Sequence, residues 1–254
     1  MRPNLYHLLL GGALALTLAS SAQAATNLIV NGGFEQSSYT SNTQFGSGWS
    51  GYGGQGVTGW TGGSGFQIYY FGATAKSISA KDAFGDITGM TLYPSFNTLS
   101  PNGGNFVALD GDATIPAGSI SQVVSGLTPG QTYSLTFDWG ATQTVNRTGN
   151  ITEQFAVSFG SQTQYTDVLA VTSGGFSGWK TAAMNFTATS ASQTLNFLSV
   201  GTPTGLPPMA LLDGVSLVST VPEPATWAML LVGFGGIGLM LRRARSRAAA
   251  MEIA

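Results

Sequence analysis

Acidic residues are the first candidates for chemistry in this chain of 254 residues, because few other reactive side chains are present. Asp110 and Asp112 lie two positions apart in the stretch LDGDA. Hydrolysis of a glycosidic bond needs two carboxyl groups facing each other across a cleft. The glycine between these two predicts a turn, where carboxylates commonly accept backbone hydrogen bonds. We therefore expect no catalytic site and no enzyme activity.

Other reaction classes are excluded by residues that are missing. The chain has no cysteine, which excludes disulfides, thiolate metal sites and thiol nucleophiles. The one histidine, His7, lies in the N-terminal segment that we expect to be removed. Without it the body of the protein has neither a Ser-His-Asp triad nor a histidine-ligated zinc ion.

Aromatic side chains are the second group of candidates, because a flat ring packs well against the apolar face of a sugar. Trp49 and Tyr52 lie in a glycine-rich stretch that predicts a loop, and Tyr93, in MTLYPSFN, lies in a second predicted loop. Tyr69 precedes Tyr70 in a predicted strand, so we expect at most one of the two to be buried. We predict a sugar-binding role for Trp49, Tyr52, Tyr69 and Tyr93. Three other aromatic residues are predicted to lie in the core: Trp60, Trp139 and Trp179.

The charge distribution excludes nucleic acid as a partner. Only 8% of the residues are charged, and the span from Ala25 to Pro224 holds four basic and ten acidic residues. Binding to nucleic acid needs clustered cations that neutralise phosphates. A sparsely charged chain rich in Ser, Thr and Asn suits a partner bound through neutral hydrogen bonds, such as a polysaccharide.

The two ends of the chain predict export. Residues 1–24 have a basic start, an apolar run and the small-residue pattern Ala22-Gln23-Ala24, which together predict a cleaved secretory signal. Residues 225–241 contain no charge and are just long enough to cross a bilayer. The basic residues that follow would hold this helix with its C-terminal end in the cytoplasm. They are Arg242, Arg243, Arg245 and Arg247.

The segment 221–247 resembles a PEP-CTERM sorting signal of the PEPxxWA type. The residues that carry the resemblance are Pro222, Glu223, Pro224, Trp227 and Ala228, followed by the apolar helix and the arginines. This resemblance implies an exosortase as partner, cleavage near the Pro-Glu-Pro motif and a Gram-negative host that makes extracellular polysaccharide. Residues 248–254 extend past the point where such signals usually end, as a short cytoplasmic tail.

The body, residues 25–220, predicts an all-β fold. Short apolar stretches alternate with polar residues and are separated by Gly, Pro, Asn and Ser. Strands are expected at 119–124 and 131–139, on either side of a turn at Pro129-Gly130. Further strands are expected on both sides of Gly160 and around a turn at 188–193. Many short strands at this spacing predict a two-sheet antiparallel β-sandwich, of one or two subdomains.

The order of several stretches also resembles galactose-binding-like jelly-roll domains, which include many carbohydrate-binding modules. These stretches are NLIVNGGFE, GNFVALDG, ISQVVSGLTPGQTYSLTFDW and LLDGVSL. The resemblance implies a jelly roll and a structural calcium ion held partly by Glu35 and Asp213. An alternative for both carboxylates is that they cap loops. No other cofactor is expected.

The sequence thus predicts an exported, surface-anchored module that binds or organises extracellular polysaccharide without catalysis. Two alternatives stay open: a structural matrix or adhesion protein that contacts other proteins, and a hydrolase acting on glycans. A hydrolase would need a cleft with paired carboxylates.

Overall fold

A computed structural model of the chain describes residues 26–45, 56–63, 65–72, 91–93, 99–113, 117–145, 147–206, 208–220 and 231–243. These ranges contain twelve strands and one helix, α1, at 231–243. The strands are β1 (Thr43–Phe45), β2 (Thr61–Gly62), β3 (Gln67–Tyr70), β4 (Phe106–Asp110), β5 (Ser119–Ser125), β6 (Thr132–Gln143), β7 (Ile151–Phe159), β8 (Gln162–Tyr165), β9 (Leu169–Val171), β10 (Lys180–Thr187), β11 (Ser192–Thr202) and β12 (Pro208–Ser219).

The strands form two antiparallel sheets. The first sheet has the order β1-β3-β4-β12-β6-β10. The second has the order β2-β5-β11-β7-β8, and β9 also pairs with β7. The two-sheet β-sandwich and the C-terminal helix predicted from the sequence are therefore confirmed.

The core between the sheets is built around Phe197 of β11. Its ring centroid lies 5.0 Å from that of Phe137 and 5.7 Å from that of Phe155. Trp60 and Trp139, both 3% exposed, belong to the same cluster, as predicted. These side chains come from both sheets, because alternate residues of each strand point to the interior.

The turn between β5 and β6 has the predicted chemistry. The N–H of Gln131 donates to the carbonyl of Thr128 at 3.0 Å. Gly130 follows Pro129 with φ of 84°, the positive value that a type II turn requires at its third position. The two strands that meet at this turn belong to different sheets.

The outer face of the first sheet is covered by a second apolar cluster. It includes Ile68, Tyr70, Phe106 and Leu211, with Trp179 packed against it partly buried. The ring of Phe106 lies 5.2 Å from that of Tyr70. Because this strand is covered on both faces, Tyr69 and Tyr70 are both fully buried. The expectation that at most one of them is buried was wrong.

Residues Ala25–Thr220 form one compact unit. Helix α1 includes residues 231–241 of the predicted span 225–241, followed by Arg242 and Arg243. Within the described ranges, no helix combines the length and the apolar character needed to span a membrane. The Pro-Glu-Pro motif, Trp227, Ala228, Arg245 and Arg247 lie outside the described residues, as do the signal 1–24 and the tail 248–254.

Candidate functional site

Two of the predicted sugar-binding aromatics can be located. Tyr69 is 0% exposed, and its hydroxyl donates to the carbonyl of Phe34 at 2.8 Å. A ring without exposed surface cannot stack on a sugar, so the prediction for Tyr69 was wrong. Tyr93 is half-buried and its hydroxyl donates to the carbonyl of Arg147 at 2.6 Å. Trp49 and Tyr52 lie outside the described residues.

The two carboxylates predicted to bind calcium lie near a third, Asp138. Asp213 pairs in register with Asp138 across β12 and β6. The pKa of Asp213 is raised to about 7, mainly by burial, and the negative charges of Glu35 and Asp138 add to this rise. Hydrogen bonds from the Ser100 hydroxyl and the Gly214 N–H offset this only in part.

One loop, residues 99–105, supplies a donor to each of these three carboxylates. The Ser100 hydroxyl donates to Asp213, and the Asn102 side chain donates to Asp138 at 2.6 Å. Asn105 donates to Glu35 twice, from its backbone N–H at 2.7 Å and from its side chain at 3.1 Å.

The chemistry of Glu35 and Asp213 fits a calcium ion. Calcium prefers oxygen ligands, and a carboxylate oxygen that accepts one hydrogen bond keeps a second lone pair. A bound cation would also reduce the electrostatic repulsion between these two neighbouring carboxylates. In the part of the chain that the structure describes, no three or more acidic or histidine side chains form a metal-binding group. Calcium at Glu35 and Asp213 therefore stays a prediction.

Removal of calcium tests this prediction. We expect calcium at 100 times its Kd to stabilise the protein by about 2.7 kcal/mol relative to chelator. Thermal melts with and without calcium measure this difference, and Asp213→Asn should abolish it. Asp167→Asn, on an exposed loop residue, is the control that should retain it. Identical melts of the unmodified protein in calcium and in chelator would refute the metal.

Asp110, Asp112 and a third acid, Glu153, lie together at another place in the sandwich. The Asp112 N–H donates to Asp110 at 2.8 Å, and Asp112 accepts from the Gly205 N–H at 2.7 Å. Burial raises the pKa of Asp110 to about 6. All three side chains are at least nine-tenths buried, so their carboxyl groups are closed to a polymeric substrate.

Glu153 was not singled out by the sequence analysis. It is 0% exposed, and burial raises the pKa of its carboxyl well above the ordinary value, with the Asp110 charge adding to the effect. Its Oε1 accepts hydrogen bonds from the N–H groups of Gln154 and Val200, each at 3.0 Å. Among the residues that the structure describes, none donates to its Oε2 in hydrogen-bonding geometry. Such a carboxyl is most stable in its protonated form.

A groove of about 530 Å³ lies where the edges of the two sheets face each other. One wall is the N-terminal half of β10, and the other comprises residues 164–167 and Leu169. The apolar part of the lining comes from the side of the core: Trp139, Leu169, Ala182 and Met184. Lys180 and Asp167, both exposed, contribute one charge of each sign.

Tyr165 is one of the residues that line this groove and is 62% exposed. In β8 it alternates with Gln164, which points towards β10 and donates to the Asn185 carbonyl at 2.6 Å. Tyr165 therefore projects outward with Thr163. Tyr165 was not among the predicted sugar-binding residues, because three of those four were chosen in predicted loops. The available signal was the strict alternation of QTQY at the end of a hairpin.

Comparison with known proteins identifies two parts of the chain. Residues 95–215 match the family model described as a protein of unknown function, DUF642. Residues 220–245 match the PEP-CTERM protein-sorting motif. The chain thus carries a DUF642 domain followed by a PEP-CTERM motif, and the sorting-signal resemblance is confirmed. No curated protein matches it.

Several solved structures are similar to this chain. The CBM22-1 xylan-binding domain of Paenibacillus barcinonensis Xyn10C is 13% identical, with 78% of this chain and 97% of that chain covered and a TM-score of 0.35. A CBM4 module is 14% identical, with coverages of 76% and 99% and a TM-score of 0.35. The N-terminal cellulose-binding domain of Cellulomonas fimi β-1,4-glucanase C is 14% identical, with coverages of 51% and 88% and a TM-score of 0.31.

Proposed function

We propose that this PEP-CTERM protein is a non-catalytic module that binds or organises extracellular polysaccharide at the cell surface. The observation that carries the proposal is the groove between the sheet edges, with the exposed residue Tyr165 in its lining. The sandwich supplies a rigid frame for this groove, because both of its walls are strands or the short connection between two strands.

The groove has the composition of a sugar site. Its volume of about 530 Å³ lies within the usual range for ligand pockets. The apolar floor can cover the C–H face of a sugar ring, while Gln164, Thr166 and Thr181 bring neutral polar groups. Tyrosine combines an apolar ring with a polar tip, which suits contact with a partly hydrated polymer.

The route of the protein to the surface follows from its two ends. The signal 1–24 would direct export, and the helix 225–241 would hold the protein in the inner membrane until an exosortase acts near Pro222. The body outside would then meet the exopolysaccharide of a Gram-negative host. The match to the sorting motif at 220–245 supports this route.

Substitution of Tyr165 tests the proposal. We expect Tyr165→Ala to weaken binding of the full chain to the exopolysaccharide of its own host by about 10-fold, about 1.4 kcal/mol, because the ring contact is lost. Titration with intrinsic fluorescence or calorimetry measures the affinity. Tyr165→Phe keeps the ring and should bind within about 2-fold of the unmodified protein, by the same relation.

The outcome also separates the alternatives. No saturable binding to the polysaccharide would refute the proposal, and self-association without sugar would then favour a matrix protein that contacts other proteins. Release of reducing ends from the polysaccharide would favour a hydrolase. Equal binding by Tyr165→Ala and the unmodified protein would remove the groove as the site.

A further inference from the structure

The groove contains a short free edge of strand β10. In an antiparallel ladder, the N–H and C=O groups of alternate residues point away from the neighbouring strand. The N–H of Thr187 donates to Gln162 at 3.2 Å, so the backbone N–H and C=O of Thr187 point away from β6. By the same alternation, the backbone N–H and C=O groups of Thr181, Ala183 and Asn185 also point away from β6.

Two glutamines of β8 occupy the C-terminal half of this edge. Gln162 donates to the carbonyl of Thr187 at 2.5 Å, and Gln164 donates to that of Asn185 at 2.6 Å. Thr181 and Ala183 come before these positions and line the groove. No hydrogen bond among the described residues reaches the backbone N–H or C=O of Ala183. The groove therefore presents an amide donor and a carbonyl acceptor to a ligand.

This edge is too short to bind a peptide strand. Strands in proteins usually pair over three to ten residues, and the glutamines leave two residues free. Side chains that cover an edge in this way also prevent strand addition. A ligand with one isolated amide group suits the available length better than a polypeptide.

The opposite wall completes the site for a single secondary amide. A trans amide is planar, with its C=O and N–H directed to opposite sides. If its carbonyl accepts from the Ala183 N–H, its own N–H points across the groove. The opposite wall carries Asp167, which is exposed and makes no ion pair with any described residue. A carboxylate is a strong acceptor for such an N–H.

The floor suits the remaining part of an acetamido group. Leu169 and Ala182 are partly buried apolar residues that line the groove beside Met184 and Trp139. A methyl group directed to this floor would be removed from water, which favours binding. The groove thus offers a donor, an acceptor and an apolar surface around one amide.

We propose that the groove binds an N-acetylated amino sugar of a polysaccharide, with its acetamido group between Ala183 and Asp167 and the polymer continuing towards Tyr165. This inference rests on the proposed function, since it names the class of sugar for the same site. The low charge of the groove agrees with it, because an acetamido sugar is uncharged whereas its deacetylated form is a cation.

Three oligosaccharides test the inference, because they differ only in the substituent at one carbon of each sugar unit. Chitohexaose carries acetamido groups, cellohexaose carries hydroxyls at the same position, and chitosan hexamer carries amines. We expect the full chain, purified in mild detergent, to bind chitohexaose at least 10-fold more tightly than the other two in calorimetric titrations. Equal affinity for chitohexaose and cellohexaose would overturn the inference. It would leave the proposed function intact as long as the host polysaccharide is bound.

Two variants locate the acetamido contacts. Ala183→Pro removes the N–H that faces the groove but no ladder hydrogen bond, and proline is tolerated at such edge positions. It should lower the affinity for chitohexaose to that for cellohexaose, while Ala183→Ser keeps the N–H and the affinity. Asp167→Ala changes only an exposed side chain, so it provides the same test if Ala183→Pro does not fold. Unchanged chitohexaose affinity in the folded variants would overturn the inference.

A peptide control distinguishes the other kind of occupant. A six-residue peptide of alternating threonine and valine should not compete with chitohexaose. Competition by this peptide at similar concentration would show that the free edge pairs with polypeptide, and would overturn the assignment to an amino sugar. Absence of binding to every glycan tested, including the host polysaccharide, would refute the proposed function itself.

Discussion

Phe197→Ala is expected to lower the free energy of unfolding of the sandwich by about 3–5 kcal/mol. Phe197 is fully buried in the middle strand of the second sheet, and three aromatic rings of the core surround it: Trp60, Phe137 and Phe155. Its loss leaves a cavity that these rings cannot fill without moving. Since a domain of this size is stable by about 5–15 kcal/mol, the change removes a large part of its stability. Urea denaturation followed by tryptophan fluorescence measures the effect.

Val123→Ala is the matched control for Phe197→Ala. Val123 lies on β5, which pairs with the strand of Phe197, but its side chain is 66% exposed on the outer face. We expect a change within about 0.5 kcal/mol, as for other surface substitutions. A loss of less than 1 kcal/mol for Phe197→Ala (roughly the cost of one buried methylene) would contradict the packing described for this core.

Glu153→Gln is expected to make the protein more stable at pH 8 and to leave its stability at pH 4 almost unchanged. The folded state holds a proton on Glu153 that the unfolded chain releases above its ordinary pKa, because burial raises the folded pKa. Stability is therefore fully present at low pH and falls as the pH rises from the unfolded to the folded pKa. The loss is about 1.4 kcal/mol for each pH unit between the two values. Glutamine has the same shape and does not titrate, so this loss disappears.

Urea denaturation at half-unit steps between pH 4 and pH 8 measures this pH dependence. Asp110 and Asp213 should retain their own losses of stability between their unfolded pKa values near 4 and their folded pKa values of about 6 and about 7. The variant therefore keeps a weaker slope up to about pH 7 and becomes flat above it. Parallel curves for Glu153→Gln and the unmodified protein would show that Glu153 is charged in the folded state.

The candidate site shows where sequence reasoning reached its limit. The predicted binding residue Tyr69 is in the core, because a second apolar cluster covers the outer face of its sheet. Tyr165, one of the residues that line the groove, lies in a strand rather than in a loop. Exposure depends on what covers a strand, and that cover comes from residues distant in the chain.

The sequence alone determined the C-terminal sorting motif and the local structure of the body of the protein. The PEP-CTERM motif at 220–245, the strands on both sides of Gly160 and the turn at Pro129-Gly130 depend on adjacent residues, so their patterns are complete in short stretches. The same local patterns gave the all-β class, since alternation with a period of two is a property of each strand.

Only the tertiary structure decided which strands become neighbours. One tight turn joins β5 to β6, and a short loop joins β10 to β11. In each case the two connected strands belong to different sheets. The groove exists because β10 and β8 are edge strands of their sheets. The buried carboxyl groups of Asp110 and Glu153 interact because β4 and β7, which carry them, lie on opposite sides of the core. Alternation fixes which residues of a strand share a face, but the partner of that face is chosen by packing between residues far apart in sequence.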